Sequence, residues 1–157
     1  MKPDQHVTIS VGSGVILGML LRSWTAGISC CLLGIFVDID HYFDLWLNRG
    51  FTLSPKKLLD FCYNGESKKF FDILHGYEYI PLLCWLGTVP RFKNLAWGLT
   101  LGYTLHILGD QLFNTHLNRW TYFLTYRILR RFESRSIVLS RPFAEPHPHQ
   151  HQIVSDN

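Results

Sequence analysis

Apolar residues run through this chain in four blocks, 7–21, 24–37, 79–89 and 95–108, each closed by polar or charged positions. None shows the sustained alternation that marks a half-buried strand, and no hairpin dipeptide lies between two β-rich runs. The blocks predict helices instead, over roughly 5–22, 25–48, 67–87, 92–114 and 119–132, with a connection over 51–65. Asn48-Arg49-Gly50 reads as a helix stop, Ser54-Pro55 as a helix start, Asn64-Gly65 as a turn and Val89-Pro90 as a break. The first helix carries Gly12, Ser13, Gly14 and Gly18, small residues that let a neighbouring helix approach closely. The expected fold class is all-α, a bundle of about five helices in one domain over 1–140. Residues 141–157 place Pro142, Pro146 and Pro148 among His147, His149 and His151. With so little apolar surface, this stretch is expected to be a disordered tail that scavenges metal weakly at most.

Composition sharpens where such helices would sit. Of 157 residues, 47% are apolar and 17% charged, against roughly 25% charged in an average soluble domain. That balance belongs to a tightly buried or a membrane-associated protein. Each apolar block falls short of the roughly 20 residues that span a bilayer. Two readings follow: core helices of a soluble bundle, or short tilted membrane helices with their ionisable residues turned inward. No signal peptide is expected, because Asp4 and His6 interrupt the basic-then-apolar start. The net charge is only +3, but Arg119, Arg127, Arg130, Arg131 and Arg135 interleave with Trp120, Tyr122, Phe123, Tyr126 and Phe132. Such a stripe suits anionic lipid headgroups or nucleic acid, or is simply a solvated helix face; nucleic acid is not expected as a specific partner. Cys30, Cys31, Cys62 and Cys84 form no C-x-x-C pair, which excludes zinc-ribbon and thioredoxin-like readings.

The chemistry-bearing residues lie together in sequence. His41 follows Asp38 and Asp40, His75 lies near Asp72 and Glu78, His106 precedes Asp110, and His6 follows Asp4. Imidazole with carboxylate is a natural ligand set for zinc, manganese or iron. His106 and Asp110, four apart, share one face of a helix. Their neighbours Leu101, Leu105, Ile107, Leu108 and Leu112 are apolar, and a bare carboxylate among such residues is costly unless paired or bound to metal. Tyr103 shares that face and can hydrogen-bond within the site. Asp38 and His41 share one face of the preceding segment, Asp40 and Asp44 another. His75 and Glu78, three apart, can converge. His116 follows where the fourth helix should end. Each of these has an alternative without metal: a buried His–Asp hydrogen bond for His106 and Asp110, a helix end turned to solvent for Asp38 to His41, an ordinary amphipathic face for His75 and Glu78, and an exposed histidine for His6 or His116. No G-x-S-x-G elbow, P-loop, G-x-G-x-x-G or H-E-x-x-H is present.

The early His6, the run Val37-Asp38-Ile39-Asp40-His41 and the element Leu101-Gly102-Tyr103-Thr104-Leu105-His106-Ile107-Leu108-Gly109-Asp110 resemble the YdjM-like family of membrane-bound metal-dependent hydrolases. The resemblance spans residues 6 to about 115. That family is in turn distantly similar to the all-helical zinc-dependent phospholipase C and P1-nuclease group, whose H-x3-D-x5-H element is matched by His106, Asp110 and His116. The resemblance implies hydrolysis of a phosphoester, possibly a phospholipid, at a bacterial-type inner membrane, by an integral or peripheral protein. It also implies a mono- or dinuclear centre of divalent metal, zinc above all, with Asp110 bridging. The expected ligands are His6, Asp38, His41, His75, His106, Asp110 and His116, with Asp40 and Glu78 in catalytic roles and Asp40 as general base. Two departures stand out. His75-Gly76-Tyr77-Glu78 replaces the family's R-G-x-T-H-S, and no later H-x3-E follows. The alternative is a non-catalytic helical membrane protein whose site is structural or stores or transports metal.

Overall fold

The computed structural model describes residues 3–64 and 69–139. The tail expected over 141–157 and the Gly65 half of the expected turn lie outside the described residues. Helix α1 (Pro3–Leu20) opens with a proline in its first turn and Asp4 beside it, both favourable at a helix start. Ser23 caps α2 (Trp24–Phe36), its hydroxyl accepting from the Ala26 N–H. The chain then tightens into a 3₁₀ turn, Val37–Ile39, and resumes as α3 (Asp40–Arg49). After Gly50, at φ +84°, come α4 (Pro55–Asn64), α5 (Tyr79–Leu86) and the long α6 (Lys93–Phe113). A 3₁₀ turn over Arg119–Tyr122 leads to α7 (Leu124–Leu129) and α8 (Ser134–Ile137). The fold is all-α. Among the described residues β structure is limited to two isolated bridges, Lys69 with Glu133 and Leu117 with Val138.

Helices α1, α2 and α6 pack nearly backbone to backbone. A Cβ on Gly14 would lie 2.7 Å from the Gly27 carbonyl oxygen, and one on Gly102 would lie 2.9 Å from the Cys30 carbonyl carbon. Only glycine permits that approach. It brings the ends of α2 and α6 together, over a small core of Val37, Tyr103, Ile107 and Tyr122.

The predicted elements need four corrections. The fifth helix, expected over 119–132, is a 3₁₀ turn over Arg119–Tyr122 followed by α7, which ends at Leu129. The second helix is broken at Val37–Ile39 rather than continuous to 48. The expected connection over 51–65 contains α4. The third helix begins only at Tyr79, so His75, Gly76 and Glu78 lie in a loop, and the expected i, i+3 convergence of His75 and Glu78 does not arise.

Beside the core, several polar residues are inside and many apolar ones outside. His6, Asp40, Asp44, His75, His106, Asp110 and Arg127 are buried, while Val15, Ile16, Met19, Trp24, Ile28 and Leu32 of α1 and α2 are exposed. Among the described residues one helical stretch, Trp24–Arg49, is long and apolar enough to cross a membrane.

Candidate metal centre

The break between α2 and α3 places Asp38 at the middle of the cluster. Its Oδ1 lies 3.2 Å from His106 Nε2 and 3.4 Å from the Nε2 atoms of both His75 and His41. Asp110, one turn beyond His106 on α6, serves the other side. Its Oδ1 is 3.0 Å from His6 Nε2, and its Oδ2 is 3.4 Å from His75 Nε2 and 3.5 Å from His106 Nε2. Four elements meet here: α1, the 37–41 turn, the loop over 69–78 and α6.

The far side of each ring explains the arrangement. His106 Nδ1 faces the Gly34 carbonyl at 2.8 Å, His75 Nδ1 faces Asp40 Oδ2 at 3.1 Å, and His41 Nδ1 faces Asp72 Oδ1 at 2.8 Å. An acceptor at Nδ1 favours the ring proton there and leaves Nε2 to take either a metal ion or a second proton. Three such Nε2 atoms and two carboxylates then point at one another. Without a proton or a cation between them they repel, and this nitrogen and oxygen set fits zinc, manganese or iron. Two overlapping groups can each hold an ion: His6, Asp38, His106 and Asp110, and Asp38, His41 and His75. Asp38 belongs to both. A third group, Asp40, His41 and Asp72, lies behind the second. His6 differs from the other three histidines, because its buried Nδ1 has no partner.

The loop that carries His75 is irregular yet almost fully hydrogen-bonded. Asp44 accepts from the backbone N–H groups of Phe71 and Asp72, and Asp40 accepts from that of Leu74. The Tyr103 hydroxyl accepts from the Gly76 N–H and lies 2.6 Å from the Leu74 carbonyl. Arg127, 1% exposed, donates to the Asp72 and His75 carbonyls at 2.5 and 2.8 Å. These bonds hold Asp72 at φ +37°, a left-handed conformation that Asp tolerates better than most residues.

Charge in the loop follows the same geometry. Burial alone would lower the affinity of His75 for a proton, but Asp40, with Asp110 and Asp38, holds its pKa well above the usual value. Burial would raise the Asp72 carboxyl, yet the adjacent His41 pulls it below the carboxylate range. The His75 shift reflects the carboxylates around it, and the Asp72 shift reflects its pairing with His41.

Six of the expected ligands converge: His6, Asp38, His41, His75, His106 and Asp110. The other three positions have different surroundings. Asp40, expected as general base, holds the back of His75. Glu78 caps α7 instead, accepting from the Leu124 and Thr125 N–H groups at 2.9 and 2.8 Å. Burial would raise its carboxyl, but these donors hold it below its ordinary value. His116 belongs to none of the three groups; it is half-buried, and its carbonyl accepts from the Leu139 N–H at 2.9 Å. Sequence reasoning missed Asp72, Asp44 and Arg127. Asp72, three positions before His75, was the legible one. Arg127 was placed in a surface stripe and is buried, while Arg119, Arg130, Arg131 and Arg135 are exposed.

No family model, no curated protein and no solved structure matches this chain.

Proposed function

We propose that the protein is a membrane-seated hydrolase of phosphoesters that works with two divalent metal ions. One observation carries the metal part: three imidazoles, each backed by its own acceptor, turn their Nε2 atoms toward two shared carboxylates. His6, His106 and Asp110 would hold one ion, His41 and His75 the other, with Asp38 between them. Divalent ions in such a site polarise a phosphoryl oxygen and make water more acidic. The chain's own residues fix the geometry. Asp40 and the Gly34 carbonyl orient His75 and His106, Asp72 orients His41, and burial excludes bulk water. The hydrolytic part rests on the resemblance of the Asp38-Ile39-Asp40-His41 and His106-x3-Asp110 elements to the YdjM-like hydrolases.

Membrane seating rests on the exposed apolar residues. Lipid is the natural solvent for the exposed apolar faces of α1 and α2. Trp120, 62% exposed beside exposed Arg119, suits the headgroup level, where Trp and Arg anchor proteins. A carbonate wash tests this: retention of the full chain in the pellet indicates insertion, and release from the membrane refutes it.

Metal analysis of the purified chain should find about two ions of zinc, manganese or iron, and a folded chain without metal would refute the centre. Hydrolysis of bis-nitrophenyl phosphate should be measurable and lost in His106→Ala. A second reading, a structural or transport site, is favoured by the closure of the cluster, since His6, His75, His106 and Asp110 are each no more than 4% exposed. Metal without hydrolysis of any phosphoester would favour it.

A further inference from the structure

The end of the bundle away from the metal cluster has its own chemistry. Helix α2 runs parallel to α6, with Ala26 against Gly98, Cys30 against Gly102 and Gly34 against His106. Helix α1 runs the other way, with Gly18 against Gly27 and His6 against Asp110. The end of α1 and the starts of α2 and α6 therefore meet, and the cluster lies at the opposite end. At 1.5 Å per residue, Lys93 and His106 are roughly 20 Å apart along α6.

Arg22, Arg91 and Lys93 stand at this far end, all exposed. No Asp or Glu occurs over 5–37 or 79–109, so no carboxylate of these segments answers them. Trp24 and Trp97 are exposed at the same end, and Trp85 is exposed near the close of α5. Gly87, just past α5, lies against the Trp97 indole, which brings that helix end here too. Exposed Trp together with Arg and Lys is the composition of the level where headgroups meet hydrocarbon.

A groove opens between α1 and α6 at this end. It measures about 370 Å³, within the range of small-ligand sites, which begins at about 300 Å³. Leu17 and Leu21 form one wall, Trp97 and Leu101 the other, and Lys93 and Asn94 line it one turn before Trp97. The four-residue steps put Lys93, Trp97 and Leu101 on one face of α6. No side chain caps α6 and no acid stands in its first turn, so the positive end of its dipole adds to the Lys93 charge. A groove that is apolar along its length and cationic at one end matches an amphiphile with an apolar chain and an anionic head.

We propose that this groove holds one acyl chain of an anionic membrane phospholipid, with the phosphate at Lys93. The proposal rests on the membrane seating above and not on the metal centre. The lipid is a bound partner and not a substrate, because its phosphate stands roughly 20 Å along α6 from the cluster. A zwitterionic lipid brings a cation of its own to Lys93, so charge selects the anionic one.

Native mass spectrometry of the full chain in neutral detergent tests this, with phosphatidylglycerol and phosphatidylcholine of identical chains as probes. Wild type should bind phosphatidylglycerol at least about fivefold more tightly. Lys93→Gln should lose about fivefold for phosphatidylglycerol and nothing for phosphatidylcholine. Leu21→Gln, which puts an amide into the groove, should weaken both lipids alike. Both variants change exposed side chains far from the cluster, and both should melt as wild type does. Release of the chain in the carbonate wash overturns the seating and this site with it. A chain that stays in the pellet but binds both lipids equally, or loses nothing in Lys93→Gln, overturns the site alone. A dimer in detergent that dissociates in Leu21→Gln puts a second copy in the groove and also overturns it.

Discussion

The two halves of the metal cluster are built by different means. His6, His106 and Asp110 stand on α1 and α6, helices locked against α2 by glycine-mediated backbone contact. His75 stands on a loop with no repeating structure, which donates to Asp40, Asp44 and Tyr103 and accepts from Arg127. The helical half is set by packing, so it exists once the bundle forms. The loop half is conditional on several remote side chains at once. Asp38 alone belongs to both. If it holds two ions, a centre built this way would lose one and keep the other, and mutation should reveal the seam.

Asp38→Asn should have the largest effect, because a neutral amide cannot join two cations. Metal content should fall from about two ions per chain to well under one, and a variant retaining both would deny Asp38 its shared position. Gly102→Ala comes next. It forces α2 and α6 apart at their closest approach and should cost about 1–3 kcal/mol of stability, with both ions weakened together; selective loss of one would contradict the packing account. Tyr103→Phe should cost a similar or smaller amount, about 1 kcal/mol, but through the loop alone. It should release the ion on His41 and His75 while the ion on His6 and His106 stays, and equal loss of both would erase the distinction.

The smallest effect is expected at Glu78. Its carboxyl is held below the ordinary carboxylate value when folded. The anion therefore stabilises the fold at neutral pH, and that contribution is lost as the pH falls through the lowered value. Wild type and Glu78→Gln should differ in Tm at neutral pH and converge below about pH 4. Curves that stay parallel through the acid range would show that the cap is not electrostatic.

The same seam separates what the sequence disclosed from what it hid. His106 and Asp110 were readable because a four-residue step on a helix is a local rule, and their apolar neighbours marked the helix as buried. The all-α class was readable for the same reason. Asp38 and His41 were readable as residues, but the 3₁₀ turn that aims them depends on where α3 must go. The loop over 69–78 was mistaken for helix. Its apolar residues Phe70, Phe71, Ile73 and Leu74 permit one, and the partners that hold it otherwise lie about 30 residues away at Asp44, Asp40 and Tyr103 and more than 50 away at Arg127. Arg127 was invisible on the same grounds. Among neighbouring arginines nothing local distinguishes the one that folds inward.

The contact between His6 and Asp110 joins residues 104 positions apart. At about 5–20 residues per second, the ribosome needs on the order of 5–20 s to make Asp110 after His6 has appeared. For all that time the first helix carries an imidazole with nothing to meet. An ion held by both His6 and Asp110 would therefore bind late, only after Asp110 has been added to the chain.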